Sequence, residues 1–314
     1  MITIADVEAA RERIAPYVRR TPVMRLEATK DALPVDGAVT MKLECLQVTG
    51  SFKARGAMNR LLGAPAQDIA HGIVTASGGN HGLAVARTAH AAGSTATIYL
   101  PSNVSPAKLA KIKRWNARTE IVGDMWDEAN AAALDHAKRT GAAYFHPFAD
   151  PLVVAGQGTL GLEIMDDLDD IDTILVAIGG GGLIAGLATA LRARRPSIRI
   201  VGIEPTGSPT LKACLDAGRR VALPSVTTRV PTMACRETDE RIFTIVRDTV
   251  DDIMLVSDEE MEAAAKWLWF ETGVAADLSG AASIAALRTG NPLLRNSRHL
   301  CALVCGAGPE GTGD

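Results

Sequence analysis

Residues 173–195 read TILVAIGGGGLIAGLATALRARR, and this stretch decides the fold class. A short apolar run ends in four consecutive glycines, and a helical pattern follows at once. Such a run is typical of a strand buried on both faces of a parallel sheet. The N–H groups of a glycine turn at a helix start can converge on a phosphate, helped by the positive end of the helix dipole. The alternative is a flexible loop, which four glycines in this place would make costly.

The same alternation of strand and helix patterns continues from about residue 72 onward. It predicts strands at 72–77, 95–101, 119–123, 173–179, 198–205, 252–257 and 299–305. It predicts helices at 81–93, 105–115, 127–141, 183–195, 209–218, 257–271 and 279–290. We therefore expect an open α/β fold, with a parallel sheet covered by helices on both faces.

The chain has 314 residues, and single cores seldom grow beyond roughly 250–300 residues. We therefore expect two lobes. Because no low-complexity linker or internal repeat divides the sequence, the second lobe is expected as an insertion within the first. We place the small lobe at about 51–144 and the large lobe at 1–50 and 145–314.

Composition excludes several classes of protein. The net charge is -3, the pI is about 6.1, and acidic and basic residues are interleaved, so no nucleic-acid partner is expected. No apolar run approaches the roughly 18 residues that cross a bilayer, and the N-terminus does not resemble a signal peptide. We expect a cytoplasmic protein without a membrane partner.

The five cysteines are odd in number and widely spread, which argues against a disulfide framework or a zinc site.

The tract Gly179, Gly180, Gly181 and Gly182 favours one kind of anion. It lacks the GKS or GKT ending of a nucleotide P-loop, and it does not keep the spacing to a downstream acid that marks a dinucleotide site. The pattern therefore predicts a cup for a single phosphate group.

Two further segments carry candidate chemistry. In KLECLQVTGSFKARGA (42–57), a glycine turn leads into a helix that begins near Lys53, and a lysine there can reach inward. The alternative is a solvated lysine beside Arg55. In TASGGNHGLAVA (75–86), free N–H groups of the turn could hold a carboxylate, and the Asn80 amide could donate to an oxygen of a bound ring. The alternative is an ordinary turn between a strand and a helix.

Together these segments resemble the fold-type II pyridoxal-phosphate enzymes of the threonine/serine dehydratase and serine racemase family, within the tryptophan synthase β superfamily. The resemblance covers nearly the whole chain, and its motifs occur in family order. They are SFKARGA (51–57), SGGNHG (77–82), HPFADP (146–151), GQGTLGLEI (156–164), GGGGL (179–183), IEP (203–205), VSDEEM (256–261), SGAASIAAL (279–287) and LVCGAG (303–308). The resemblance implies a cofactor, pyridoxal 5′-phosphate, in the cleft between two lobes.

The resemblance also implies the site residues. Those that contact the cofactor are Phe52, Lys53, Asn80, Gly179, Gly180, Gly181, Gly182, Leu183 and Cys305. Those that contact the substrate carboxylate are Ser77, Gly78, Gly79, Asn80 and His81. Lys53 would be the catalytic Schiff-base lysine, and Cys305 would face the pyridine nitrogen. From composition alone, Cys305 would be a small buried hydrophobic residue.

A neutral partner at the pyridine nitrogen makes the cofactor a weaker electron sink, which favours elimination over long-lived carbanions. We expect Lys53 to remove the α-proton while the β-hydroxyl departs, giving a 2-keto acid and ammonia. Burial should lower the pKa of Lys53, since the amine must be unprotonated to act. The expected activity is that of a threonine or serine ammonia-lyase.

Three departures from the family pattern bear on this expectation. Racemases of the family carry a serine where this chain has Gly78, and a glycine cannot exchange a proton. Some relatives bind a divalent cation with a pair of acids, where this chain has Glu204 and Thr210, so no metal is expected and Glu204 is interpreted as a helix-capping or surface acid. Asp277 replaces a glutamate, which we expect to alter the substrate pocket.

Several alternatives remain open at this point. Serine racemase is the nearest, and phenylserine or 3-hydroxyaspartate could replace threonine and serine as substrate. A β-replacement synthase fits less well, because its lysine lies in a different motif. A non-catalytic phosphate-binding protein would not need Lys53. We also expect a homodimer, and no feedback control by isoleucine, since the chain stops at Asp314 without a regulatory domain.

Overall fold

The computed structural model describes residues 1–313 and divides them into strands and helices. The strands are β1 (Val23–Arg25), β2 (Ala38–Lys42), β3 (Ile73–Ala76), β4 (Ala96–Leu100), β5 (Arg118–Ile121), β6 (Ala143–Tyr144), β7 (Thr173–Ala177), β8 (Arg199–Pro205), β9 (Asp252–Val256) and β10 (His299–Leu303). The helices are α1 (Ile4–Ile14), α2 (Lys53–Gly63), α3 (Ala66–Ile69), α4 (Asn80–Ala91), α5 (Pro106–Lys113), α6 (Trp126–Thr140), α7 (Pro151–Asp167), α8 (Gly182–Arg194), α9 (Thr210–Ala217), α10 (Glu240–Thr249), α11 (Asp258–Thr272) and α12 (Leu278–Arg288).

Two sheets organise these elements. The larger sheet has the strand order β1-β2-β10-β7-β8-β9, and the smaller has the order β5-β4-β3-β6. Every pair is parallel except β1 with β2, which is antiparallel. The expected α/β fold with parallel sheets is confirmed, and all seven predicted strands are present with small differences at their ends.

The smaller sheet draws all its strands from Ile73–Tyr144, and the larger sheet draws its strands from both sides of that range. Each sheet has its own cluster of buried apolar side chains. The cluster around the smaller sheet also includes Ile14 from α1. The exact division of the chain at residues 51 and 144 stays a prediction.

Strand order places the ends of the central strands together. Strand β10, the last in sequence, lies between β2 and β7, and Ala302 pairs with Met41 on one side and Leu175 on the other. Because the three strands are parallel, the segments that follow them emerge at the same edge of the sheet. This edge is where open α/β folds bind ligands.

The long helix α7 is the main element that the sequence patterns did not identify as a helix. It is buried over most of its length, so it has no polar face to produce an amphipathic pattern. Its glycines permit close contact with two other helices. A side chain on Gly156 would meet the Gly56 Cα of α2 at 2.7 Å, and one on Gly158 would meet the Gly186 carbonyl of α8 at 2.8 Å.

A buried ion cluster joins β2, α2 and α7. Arg55 donates to Glu44 at 2.7 and 2.8 Å and to Glu163 at 2.9 Å. Lys42 donates to the other oxygen of Glu163 at 2.7 Å and to Asp167 at 2.7 Å. Lys42 and Glu44 are 0% exposed and Arg55 is 2% exposed. These charges are therefore stable only as a complete set.

We expect Glu163→Gln to lower the free energy of unfolding by about 3–5 kcal/mol, because it removes a carboxylate that both buried cations share and leaves Lys42 with Asp167 alone and Arg55 with Glu44 alone. The amide would also turn an N–H group toward either Lys42 or Arg55. Urea unfolding followed by circular dichroism measures this. The control is Glu262→Gln, which removes an exposed acid paired with Arg229 and Lys266 and should cost about 0–1 kcal/mol. Equal losses in the two variants would contradict the argument.

Candidate active site

Lys53 starts α2 at the edge of the larger sheet. The chain reaches it through a tight turn in which Thr49 and Gly50 both have positive φ, 64° and 82°. Ser51 then bridges to Gly306, and the Phe52 N–H donates to the Cys305 carbonyl at 3.2 Å. This start of α2 is thereby fixed to the segment that follows β10.

The Lys53 amine points inward and donates to the Pro147 carbonyl at 2.7 Å. The side chain is half-buried, and Arg55 belongs to the buried ion cluster, so the interpretation as a solvated lysine beside Arg55 is wrong. Burial lowers the pKa of Lys53 from its usual 10.5 to about 8. An amine with such a pKa is partly neutral near pH 7, as proton abstraction requires.

Two histidines lie near Lys53. Burial, and then the positive charge of Lys53, lower the pKa of His81 to about 3 and that of His146 to about 4. His146 accepts from the N–H groups of Phe148 and Ala149 through Nδ1, at 3.2 and 2.9 Å. Both imidazoles are therefore neutral at pH 7, and neither adds a positive charge beside the lysine.

The glycine tract follows β7 and begins α8. Gly181 caps the helix with φ +91°, and no side chain among residues 1–313 caps it. A side chain on Gly180 would overlap the Phe148 ring, and one on Gly179 would meet the Thr232 carbonyl at 2.7 Å. The tract is thus a bare backbone turn at a helix N-terminus, which is the arrangement that binds a phosphate. Leu183 lies buried in the first turn of α8.

The loop Ser77–His81 follows β3 in the smaller sheet. Ser77 Oγ accepts from the Gly79 N–H at 3.2 Å, and α4 starts at Asn80 without a side-chain cap. The two glycines face different ways: a side chain on Gly79 would lie 3.5 Å from the Thr232 methyl, and one on Gly78 would lie 3.1 Å from Val104. The helix start with its free N–H groups suits a carboxylate.

Asn80 and Cys305 complete the residues predicted from the sequence. Asn80 Nδ2 donates to Asp277 Oδ2 at 2.8 Å. Cys305 is buried, and its Sγ lies 3.4 Å from the Ser279 carbonyl, to which it donates. Burial raises the pKa of the Cys305 thiol, so the group is neutral. Asp277 contacts Asn80 and caps α12, a role that the sequence did not indicate.

Sequence reasoning missed one wall of the site, the segment 230–238. The Thr232 methyl lies beside Gly79 and its carbonyl beside Gly179, while Thr238 Oγ1 donates to the Gly180 carbonyl at 3.0 Å. No motif marks this segment, and its contacts depend on tertiary structure. Pro147 and Phe148 were also missed as site residues, although both lie within the motif HPFADP.

The site has unused hydrogen-bonding groups that suit a polar ligand. Ser51 Oγ and His81 Nδ1 are buried without a partner among residues 1–313. His81 Nε2 is 3.1 Å from the Phe145 carbonyl, which fixes Nε2 as the donor and leaves Nδ1 as an acceptor. Unsatisfied buried polar groups are rare, and these two atoms belong to residues close to Lys53, so they are available to a ligand there. Together with the bare glycine turn and Lys53, they fit pyridoxal 5′-phosphate.

Glu204 has the capping role that was considered for it. Its two oxygens accept from the N–H groups of Leu211 and Lys212 at 2.8 and 2.9 Å, at the start of α9. Burial raises the pKa of this carboxyl to about 7. The side chain is fully buried, which rules out the surface acid among the interpretations of Glu204.

Parallel sheets with an inward lysine and a bare glycine turn at one edge suit an enzyme that binds a phosphorylated carbonyl compound. Comparison with known families agrees: the sequence profile described as pyridoxal-phosphate dependent enzyme matches residues 14–306. The chain belongs to this family. The expected fold-type II resemblance is confirmed.

The chain is similar over nearly its whole length to individual threonine ammonia-lyases and serine racemases. The chain is 37% identical over 306 residues to an L-threonine ammonia-lyase of Geobacter sulfurreducens, covering 98% of this chain and 76% of that protein. Its structure is similar to that of maize serine racemase, with TM-score 0.91 and 34% identity over 97% of this chain and 93% of that one. It is similar also to the processed form of threonine deaminase isoform 2 from Solanum lycopersicum, with TM-score 0.90 and 31% identity over 97% of this chain and 88% of that one.

We expect Gly181→Ala to weaken retention of pyridoxal phosphate, because the added methyl strains a φ of +91° and would lie 2.6 Å from Ile242. Cofactor content after dialysis, read from visible absorbance, measures this. The matched control is Gly218→Ala, which creates the same kind of strain at φ +65° with no neighbour within 4 Å. Full retention in Gly181→Ala, or an equal loss in the control, would contradict the role of the tract.

Proposed function

We propose that this chain is a pyridoxal-phosphate-dependent ammonia-lyase, a carbon–oxygen lyase that converts threonine or serine to a 2-keto acid and ammonia. The observation that carries the proposal is the half-buried Lys53 amine, with its pKa near 8, at the edge where the bare glycine turn also lies. The likeness to an L-threonine ammonia-lyase over nearly the whole chain supports this substrate class.

The proposed cofactor contacts come from both sheets. Backbone N–H groups of Gly179, Gly180, Gly181, Gly182 and Leu183 would hold the phosphate, Asn80 would donate to the ring hydroxyl, Phe52 would lie beside the ring, and Cys305 would face the ring nitrogen. When bound, the cofactor supplies an electron sink for the pair left when the α-proton departs.

Lys53 is the proposed base. In its neutral form the amine can take a proton from the α-carbon of a substrate held beside it, and the Pro147 carbonyl orients it by accepting one of its N–H groups. Neutral His81 and His146 keep the lysine free of competing charge. Cys305 would face the ring nitrogen with a neutral thiol and not with a carboxylate. The cofactor would then be a weaker electron sink, which favours prompt loss of the β-hydroxyl.

The proposed substrate site is the loop Ser77–His81, with Ser77, Gly78, Gly79, Asn80 and His81 around the carboxylate. The N–H groups at the start of α4 would bind the substrate carboxylate, as helix N-termini bind anions. Thr232 stands next to Gly79 and limits the room on that side. Serine and threonine are the proposed substrates, and phenylserine and 3-hydroxyaspartate are the alternatives.

We expect the rate at which cofactor-free protein takes up pyridoxal phosphate to rise about tenfold per pH unit below pH 8 and to level off above it. The reason is that only the neutral amine reacts, and burial sets the pKa of Lys53 to about 8. Growth of the visible absorbance after mixing measures the rate. Lys53→Ala should fold normally and form no such band. A midpoint near pH 10.5 would contradict the effect of burial.

A serine racemase is the second candidate, favoured by the structural likeness to the maize enzyme. Racemisation needs a group that returns a proton to the face opposite Lys53. Gly78 has no side chain, and a serine there would project toward Val104 and Leu100. Because racemases of the family carry a serine at this position, we expect Gly78→Ser to raise racemisation relative to elimination, with a small shift of the Val104 side chain.

With L-serine as substrate, we expect pyruvate and ammonia as the main products and little D-serine. Chiral chromatography and a keto-acid assay on the same samples measure the two rates. The same keto-acid assay over L-threonine, L-serine, phenylserine and 3-hydroxyaspartate ranks the substrates. Formation of D-serine faster than pyruvate would replace the ammonia-lyase by the racemase.

The proposal includes three further expectations. The protein forms a homodimer, it is located in the cytoplasm, and its small lobe spans about residues 51–144. The division into lobes is supported by the smaller sheet, whose strands all lie within Ile73–Tyr144. Within residues 1–313, no helix is long and apolar enough to span a membrane.

A further inference from the structure

Asp277 does more than cap a helix. It is buried, 7% exposed, and stands directly before α12. Its Oδ1 accepts from the Gly280 N–H at 2.6 Å and from Ser279 Oγ at 2.7 Å. Both donors lie within three residues of Asp277, so Oδ1 alone caps α12. The second oxygen is therefore free for another partner.

The second oxygen binds a residue from a distant part of the chain. Asp277 Oδ2 accepts from Asn80 Nδ2 at 2.8 Å, across 197 positions of sequence. Asn80 begins α4, which follows a strand of the smaller sheet, while α12 packs on the larger sheet. The hydrogen bond therefore connects an element of the smaller sheet to an element of the larger sheet.

The backbone of Gly306 packs directly against this bond. A side chain on Gly306 would lie 2.6 Å from Asp277 Oδ2 and 2.9 Å from Asn80 Nδ2. The Gly306 carbonyl also accepts from the Asp277 N–H at 3.0 Å, and Gly306 bridges to Ser51. The bond is thus built against the segment that carries Cys305 and the turn that leads to Lys53.

The chemistry of the two groups fixes the orientation of the Asn80 amide. A carboxylate only accepts hydrogen bonds, so it selects the NH₂ end of the amide and excludes the flipped orientation. The NH₂ group has two N–H donors, and Asp277 uses one. The other remains for an oxygen of a ligand in the cleft. Asn80 makes no other side-chain hydrogen bond among residues 1–313.

We infer that Asp277 is a positioning residue that holds the Asn80 amide with one N–H directed to the ring hydroxyl of the cofactor. This inference rests on the proposed function, because it takes pyridoxal phosphate as the ligand. The loss of Asp277 would let the amide turn its oxygen toward the ring oxygen, which repels it. Asp277 then contributes to cofactor affinity only through Asn80.

A double-mutant cycle on cofactor affinity tests this. The wild type, Asp277→Ala, Asn80→Ala and the double variant are stripped of cofactor, and their dissociation constants for pyridoxal phosphate are measured by absorbance titration. Each single variant should bind on the order of tenfold more weakly, the loss of about one hydrogen bond. The double variant should bind no more weakly than Asn80→Ala alone, since both changes remove the same contact.

Two variants separate positioning from helix capping. Asp277→Asn keeps a residue that is favoured at the N-cap of α12, so this variant should fold even if Asp277→Ala does not. The substituted side chain can hydrogen-bond to the Asn80 amide in both of its flipped orientations. We therefore expect Asp277→Asn still to weaken cofactor binding. Ser257→Ala removes the N-cap of α11, away from the cleft, and should lower the melting temperature without changing cofactor affinity. This control shows what a purely structural loss looks like.

The outcomes are distinct. Two results would overturn the inference and leave the proposed function standing. One is a loss of cofactor affinity in the double variant equal to the product of the two single losses. The other is unchanged cofactor affinity in both Asp277 variants. Failure of the wild type to bind pyridoxal phosphate would remove the proposed function and the inference with it. Weakened binding by Asp277→Asn without further loss in the double variant would support the positioning role.

Discussion

A set of buried charges that pair with one another fixes the orientation of the helix that begins at Lys53. Lys42, Glu44, Arg55 and Glu163 come from different elements, and none is stable in the interior without the others. Arg55 is two residues after Lys53 on the same helix, so the position of its guanidinium fixes the rotation of α2. Because Arg55 must face Glu44 and Glu163, Lys53 points away from them, toward the Pro147 carbonyl.

Helix α7 extends this constraint to the rest of the site. Besides Glu163, it presents Gly156 to the backbone of α2 and Gly158 to the backbone of α8. One helix carries Lys53 and the other begins at the glycine tract. The spacing between Lys53 and the glycine tract is thus set by backbone packing on a common helix, which varies less than contacts between long side chains.

The sequence predicted what depends on local pattern and motif. Strands β3, β4, β5, β7, β8, β9 and β10 follow from apolar periodicity, and Lys53 and the glycine tract follow from motifs. Helix α7 escaped because burial on all sides removes the amphipathic signal. The pairing of Asn80 with Asp277 and the contacts of Thr232 escaped for another reason: they join residues far apart in sequence, and no local rule specifies such a pair.

The central place of β10 has a consequence for how the protein is made. The last strand of the chain separates β2 from β7, so the larger sheet cannot close until residues near 299–303 have left the ribosome. Strands β2 and β7 have unpaired edges during synthesis, and unpaired edges promote aggregation.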